Sequence, residues 1–538
     1  MLLLSGCASI PEISSVNVVS QVDVNAESDR VRVIARPPTA DMTPVEIVEG
    51  FLSANASLSG DRLVAKQYLT TPAAAQWKTE SSYIIDAAQT SIVLVDSNNA
   101  KLTLGALGIL GKDARLRWFD TPQVKTYEIS LVKTSAGYRI TNANLPSAMS
   151  VKDFYRNFSH FTAYFLNPEY TTLVPDSVWL AANPSTGRTQ LMKALLQGVS
   201  KDVQGALRSA IPSGTDLAVA AVTTQSGVSD VSLTSQALQL SKQQRKAMLA
   251  QIVWTLTETS NSSAVNVFSG GQPMTVDGKA QLTRQLFNSF SPDYSQPDAN
   301  LYFSDSSGIF RLNGAKKSKL SDIISVQQLA VSHDGELMAY IASGLAYLGT
   351  TANPAASTLI SSTISAIDFD RDNRLWLLNQ SGQIFVKSGA REPIAVSGQP
   401  ANVLSVALAP DGVRLAAVQP SSSGNVLRLY SVVNTTSGAS LTKGQRIETA
   451  FSDVLDVDWI SDSELIVIGR LSGGEVRVYR LGLNSLPPVS LGVVSDAVQV
   501  MANQDQPISV LTRQGLLVRY IDGVWQNFKT VNSAAYAG

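Results

Sequence analysis

Val331-Ser332-His333-Asp334-Gly335, running on to Ala339-Tyr340, reads as the end of one apolar strand, a tight turn and the body of a second strand. The arrangement returns as Phe369-Asp370-Arg371-Asp372-Asn373 before Trp376, as Leu408-Ala409-Pro410-Asp411-Gly412 before Ala416-Ala417, and as Trp459-Ile460-Ser461-Asp462-Ser463 before Val467. Asp-Gly between apolar runs is a hairpin signal, because such pairs tolerate the backbone of a short turn. A third alternating strand follows each copy, at 345–349, 383–387, 426–432 and 475–481. Residues 301–312 and 498–520 are worn copies at the two ends. A spacing of about forty residues with short strands in every unit specifies a β-propeller of about six blades, placed at residues 291–538. Pro292, Pro297 and the polar run before Asn300 deprive the first copy of an inner strand, while the last copy has a surplus at 524–531. The ring is therefore expected to close by sharing, with 524–531 completing an outer edge.

Upstream, the period of the apolar residues changes. Thr43, Pro44 and Glu46 form a capping box with proline at the first helical position, and Ile47, Val48, Phe51 and Leu52 recur at helical spacing. Asp61 is expected to cap a second helix carrying Leu63, Val64, Tyr68 and Leu69, and Thr71-Pro72 starts a third. Strands are expected at 91–96, 100–106, 127–133 and 138–143. Helices before a curved antiparallel sheet is the order of a small α+β cone of the nuclear-transport-factor-2-like (NTF2-like) kind, placed at 42–147. A second α+β domain is placed at 158–290. It holds strands at 161–166 and 172–180, a helix at 188–197 ended by Gly198, a hairpin of 217–224 with 228–233, and a strand at 265–268. Ser241 and Gln244 make a capping box for a helix whose stripe is Met248, Leu249, Ile252, Val253 and Leu256. The fold class is thus multidomain, α+β followed by all-β.

The chain has 538 residues, 44% apolar and 16% charged, with a net charge of −1. That balance describes a globular chain and argues against a nucleic-acid partner, which would call for a basic face. Beyond residue 7 no apolar run reaches the roughly 18 residues that span a bilayer. Cys7 is the single cysteine, so no internal disulfide exists. It follows Leu4, Ser5 and Gly6, the pattern that a bacterial lipoprotein signal peptidase reads. Small residues fit a narrow protease groove; lipid goes onto the thiol, and the new amino terminus receives a fatty acyl chain such as palmitate. Several chains together anchor stably where one does not. Residues 1–6 read as a truncated signal peptide, lacking the basic stretch and apolar core of a complete one. Residues 7–41 read as the lipid-bearing cysteine and a tether, with a β-like run at 30–35 and Arg36-Pro37-Pro38-Thr39 at its end. A buried free thiol is the plain alternative, but Ala8-Ser9-Ile10-Pro11 continues as a polar tether. The other alternative is an accidental motif in a cytosolic protein, disfavoured by the one-sided cysteine usage.

The chemistry-bearing residues weigh against catalysis. His160 and His333 lie in different domains, and neither has a second histidine or cysteine nearby in sequence. His333 is expected to be exposed in its turn, and His160 satisfied or solvated. Asp368, Asp370 and Asp372 alternate as in a calcium loop. Asn373 and Asn379 stand where the full loop needs glycine and glutamate, so a solvated turn is the preferred reading. Asp453, Asp456, Asp458 and Asp462 form another acidic run. Two carboxylates a few ångström apart serve glycoside hydrolysis, yet Asp456 and Asp458 flank Val457 on an expected inner strand and more simply line the propeller channel as a binding face. Ser269-Gly270-Gly271-Gln272-Pro273 is a turn and not a phosphate loop. No cofactor is called for.

Several stretches in this order resemble one family. They are Gly6-Cys7-Ala8-Ser9-Ile10-Pro11, Thr43-Pro44-Val45-Glu46-Ile47-Val48-Glu49-Gly50-Phe51-Leu52, Lys66-Gln67-Tyr68-Leu69-Thr70, Leu173-Val174-Pro175-Asp176-Ser177-Val178-Trp179-Leu180 and Ala250-Gln251-Ile252-Val253-Trp254-Thr255-Leu256-Thr257. Together they resemble the LpqB family of actinobacterial envelope lipoproteins over essentially the whole chain. The domain at 158–290 is similar to a GerMN domain, and the repeats to TolB-type propellers. The resemblance implies a lipoprotein on the extracytoplasmic face of the cell membrane, accessory to a two-component system. The implied partner is the extracytoplasmic sensor of an MtrB-type histidine kinase, linked to cell-wall homeostasis and division. It supplies no catalytic motif. The alternatives are a peptidoglycan- or glycan-binding protein and, further off, a glycan-acting enzyme.

Overall fold

The computed structural model describes residues 35–55, 62–78, 81–181, 186–258, 262–292, 300–422, 424–435, 438–447, 451–483 and 488–537. Leu4, Ser5, Gly6, Cys7, the run at 30–34, Asp61 and Pro297 lie outside them.

Thr43 N–H donates to Glu46 Oε2 at 2.7 Å and Glu46 N–H to Thr43 Oγ1 at 3.3 Å, which starts α1 (Pro44–Asn55). Ile47, Val48 and Phe51 are fully buried on one face of it. Two short helices follow, α2 (Leu63–Gln67) and α3 (Thr71–Gln76). Beneath them lies a sheet of β1 (Ser82–Asp96), β2 (Asn99–Leu110), β3 (Leu116–Thr134), β4 (Gly137–Ile140) and β5 (Ser147–Ser150), in the order β4-β3-β2-β1-β5. The first strand starts at Ser82, well before the expected 91. Alternation hid this segment because both its faces are covered: Ile85 packs with the helices, and Ile84 with α4 (Val151–Asn157) on the other side.

Phe154 of α4 stacks on Phe158 and meets Trp179, and this aromatic cluster joins the first domain to the second. The second domain begins with the ribbon β6 (Phe158–Leu166) and β7 (Leu173–Ala181). It continues with α5 (Gly187–Leu196), β8 (Thr223–Gln225), β9 (Val228–Leu233), α6 (Lys242–Leu256) and β10 (Ala264–Ser269). Gly198, at φ 81°, follows α5 in the left-handed conformation that ends helices. The expected strand at 217–224 contracts to β8. Pairing with β9 begins at Leu217, breaks over exposed residues 218–221 and resumes at Thr223. The Ser241–Gln244 capping box is present, but α6 is buried on every side from Ala247 to Leu256 and not along one stripe. It lies in the middle of the domain, against β6, α5 and β10.

Among the described residues six sheets follow, each of four strands running outward from a central channel, with a fifth short strand on one. The inner strands of blades 2 to 6 are Val326–Val331, Ile364–Phe369, Ser405–Leu408, Phe451–Trp459 and Ala497–Met501. The inner strand of blade 1 is Ser533–Tyr536, which pairs antiparallel with Leu301–Asp305. The ring does close by sharing, but not through 524–531. Val524–Thr530 is the ordinary outer strand of blade 6, and Ser533–Tyr536 fills the inner place of blade 1. Lys529 Nζ bonds Asp305 at 2.9 Å across the same seam.

The domains are packed on one another. Arg115 pairs with Asp176, Arg117 with Asp202, and Trp179 N–H donates to Ala114 O at 2.7 Å. At the end of the ring where the Asp-Gly turns lie, Val413 enters the second domain's own core. Gly205, at φ 103°, lies so close to Val433 that a Cβ there would stand 3.3 Å from a valine methyl. Asp120 of the first domain pairs with Arg428 at 2.7 Å, and Arg446 donates to its carbonyl at 2.9 Å.

Candidate functional site

Every inner strand of a propeller is a sheet edge. One side pairs within its blade; the other presents N–H groups to the channel that no strand takes, and such groups need acceptors. Here side chains from the preceding blade supply them. Ser533 Oγ accepts from Leu329 N–H at 2.9 Å, Gln328 Oε1 from Ile367 N–H at 3.0 Å, and Asp368 Oδ2 from Leu408 N–H at 2.9 Å. Asp456 Oδ2 accepts from Val500 N–H at 2.9 Å and Asp458 Oδ2 from Ala502 N–H at 2.8 Å. Ser405 Oγ donates to Asp456 Oδ1 at 2.6 Å, which continues the belt.

The belt has a register. Val331, Phe369, Leu408 and Trp459 end their inner strands, and Ala502 directly follows that of blade 6; counted from these five reference residues, Gln328 and Asp456 stand three places earlier. Each takes the N–H two places before the reference residue of the next blade. Asp368 and Asp458 stand one place earlier and take the N–H of the next blade's reference residue itself.

The channel encloses about 720 Å³. Its described lining includes Asp368, Asp456 and Asp458 and no lysine, arginine or histidine. Burial pushes the Asp368 carboxyl up to about 7 and the Asp456 carboxyl up to about 6. Burial also raises Asp458 well above the usual carboxylate range, and the negative charge of Asp368 adds to it. The N–H donors pull each the other way, and desolvation wins. All three side chains still keep some surface on the lumen.

The residues singled out from sequence fall in different places. Cys7, Leu4, Ser5 and Gly6 lie outside the described residues. Asp456 and Asp458 lie on the inner strand of blade 5 and line the channel. They bond N–H groups of one neighbouring strand side by side, which is a structural arrangement. Asp453 turns away to accept from Asn425 N–H at 3.0 Å, and Asp462 sits in the turn at the strand's far end. Asp368, Asp370 and Asp372 do not converge on one point. Asp368 faces the channel, while Asp370 is buried in its hairpin, accepting from Trp376 Nε1 at 2.7 Å and pairing with Arg374 at 2.7 Å. Among the described residues no three histidine, cysteine or acidic side chains gather as metal ligands. His333 is buried, not exposed as its turn position suggested, and burial with the nearby Arg371 charge holds its pKa down to about 4. His160 lies edge-on to Trp179 at 5.4 Å, and burial holds it at about 3. Both are neutral at physiological pH. Sequence reasoning missed Gln328, Ser405 and Ser533. The available signal was a polar residue recurring at two fixed places in otherwise apolar strands.

Three comparisons bear on the chain as a whole. Residues 37–155 match the family described as "Lipoprotein LpqB, N-terminal domain". Residues 162–275 match "Sporulation and spore germination", and residues 300–536 match "Lipoprotein LpqB beta-propeller domain". A relative named Lipoprotein LpqB from Streptomyces coelicolor is 24% identical, over 100% of this chain and 96% of its own length. Another of that name from Cutibacterium acnes is 24% identical, over 97% of this chain and 94% of its own. Among solved structures, TolB from Acinetobacter baumannii aligns at 13% identity and a TM-score of 0.38, over 54% of this chain and 85% of its own. No described helix is long and apolar enough to cross a membrane.

Proposed function

We propose that this chain, which belongs to the LpqB lipoprotein family, is an accessory protein that acts by binding and not by catalysis. Cys7 carries lipid and holds it at the extracytoplasmic face of the cell membrane. Its partner is the extracytoplasmic part of an MtrB-type sensor histidine kinase, in a system tied to cell-wall homeostasis and division. The observation that carries the binding reading is the use of the channel acids. Asp368, Asp456 and Asp458, the acidic groups that a glycan-acting enzyme would need free, are engaged in holding neighbouring blades together. What then remains is three packed domains with surface loops, the usual form of a binding scaffold. Confinement of both proteins to one membrane raises their effective concentration, so a weak contact suffices. A net charge of −1 favours recognition by shape and apolar anchors over long-range steering.

The test is photo-crosslinking in living cells, with probes at Ser343, Gln380, Asp334 and Lys242, all exposed. Capture of a sensor kinase, together with altered kinase output when the protein is lost, is the expected result. No kinase captured at any probe and unchanged output would overturn the kinase assignment. Retention of the pure protein on isolated cell wall would then favour glycan binding.

A further inference from the structure

Leu404 stands just before the inner strand of blade 4, and Leu455 and Val498 lie on the inner strands of blades 5 and 6. They are 51%, 38% and 38% exposed, large apolar side chains on adjacent blades. Each strand runs from such a residue toward the opposite end of the ring, where Val413 is embedded in the second domain. The three therefore form a crescent around the free mouth of the channel. Gln327, Gln380 and Gln499 lie around the same mouth. Below the crescent lie Asp456 and Asp458, one and three residues further along the strand than Leu455, at about 3.3 Å per residue.

We infer that this mouth is a docking site for an extended segment of a protein partner, seating apolar residues on the Leu404–Leu455–Val498 crescent and sending one lysine or arginine side chain into the channel. Charge complementarity selects this occupant. The lining holds three carboxyl groups and no cationic side chain to balance them. Asp456 accepts from Ser405 Oγ and Val500 N–H, while Asp368 and Asp458 each accept one N–H from the next blade and one from the residue that follows them. A carboxyl group has roughly four lone-pair sites when ionised, so acceptor capacity remains for a cation in the lumen, and a cation there favours the ionised form. The four-carbon stem of lysine suits the short step from rim to acid. An acidic segment meets repulsion. A bare cation or a polyamine leaves the apolar crescent uncovered, and an anionic lipid surface finds no basic rim. The inference rests on the reading of the chain as a binding protein, and it is independent of which protein the partner is.

The experiment uses the purified chain and a library of short capped peptides with lysine fixed between varied apolar residues. Companion libraries carry norleucine or glutamate at the fixed place, and spermidine is a further probe. Lysine peptides are expected to bind, with norleucine and glutamate companions weaker by about tenfold or more. Raising the salt concentration weakens the complex. Leu404→Ser and Leu455→Ser each reduce affinity several-fold. Gln499→Lys abolishes binding by placing a cation at the mouth, and it leaves every bond of the belt in place. Absence of any lysine-peptide binding, equal binding of the norleucine series, or full binding by Gln499→Lys overturns the inference. Spermidine binding as tightly, with no dependence on Leu404 or Leu455, overturns it as well. No kinase enters this assay. Peptide binding without kinase capture counts against the partner assignment alone, and kinase capture without peptide binding counts against the mouth alone.

Discussion

Asp334 and Asp411 hold the same place in the repeat, yet Asp334 lies exposed in its turn while Asp411 is 1% exposed. Around Asp334 the contacts stay on the exposed turns: its Oδ1 accepts from Ser332 Oγ at 2.6 Å and from Glu336 N–H at 3.0 Å, and its Oδ2 accepts from Asn373 Nδ2 in the next blade's turn at 2.6 Å. Around Asp411 they extend further. It pairs with Arg414, which also donates to Asp462 O and lies 5.0 Å over the Trp459 ring, while Val413 enters the second domain. The turn chemistry is shared, but burial is decided by what packs on the turn. The same contrast separates the two ends of the ring, one covered by the second domain and the other open around Leu404 and Leu455.

The largest effect should come from breaking the ring that both ends share. Removing residues 532–538 takes away the inner strand of blade 1 and exposes two strand edges. The propeller is expected to lose its cooperative thermal transition and become protease-sensitive throughout. An unchanged melt would show that closure lies elsewhere.

The contrast between the two turns is sharpened by single substitutions. Arg414→Ala leaves the Asp411 carboxylate buried and unpaired, a loss of about 3–5 kcal/mol. Asp334→Ala removes solvent-exposed bonds, the one from Asn373 included, and is expected to lose about 1 kcal/mol. Urea unfolding measures both, and similar values would refute the distinction.

The channel acids make stability depend on pH. An unfolded aspartate titrates near 3.8, whereas Asp456 and Asp368 titrate at about 6 and 7 in the native chain. The native state thus favours the protonated carboxyl. That contribution is fully present below about pH 4 and is lost as pH rises through 6–7. Discounted for the side chains' contact with the lumen, it is on the order of 1–2 kcal/mol for each group. Asp456→Asn keeps an acceptor for Val500 N–H, and its amide can donate to Ser405 Oγ. Melting temperatures taken between pH 4 and pH 8 should fall less steeply in this variant than in the parent.

The smallest effect is expected at the seam between the first domain and the propeller. Asp120 is mostly exposed, so Asp120→Ala should lose no more than about 1 kcal/mol. A double-mutant cycle with Arg428→Ala reads the pairing directly, and a coupling of several kcal/mol would mean that this seam matters as much as the one at Val413.

Much of the architecture was legible in the sequence. Capping boxes at Thr43–Glu46 and Ser241–Gln244, the hairpins around each Asp-Gly turn and the third strands all rest on contacts within a few residues. Such contacts are written into local residue order. The belt was half legible: Asp456 and Asp458 stand out as polar residues in an inner strand, but the Val500 and Ala502 N–H groups they hold are 44 residues away. The burial of His333, the continuous burial of α6 and the early start of β1 left no periodic trace, because neighbours on both sides erased the alternation.

By itself, then, the sequence determined the kinds of elements, their order and the repetition that makes a ring. Only the tertiary structure decided that Ser533–Tyr536 fills the inner place of blade 1, which turns the second domain covers, and which mouth stays open. The physical reason is distance along the chain. A turn or a cap is selected by its own few residues, whereas a vacant sheet edge accepts whichever remote strand the closed ring brings to it, and exposure depends on what that closure leaves uncovered.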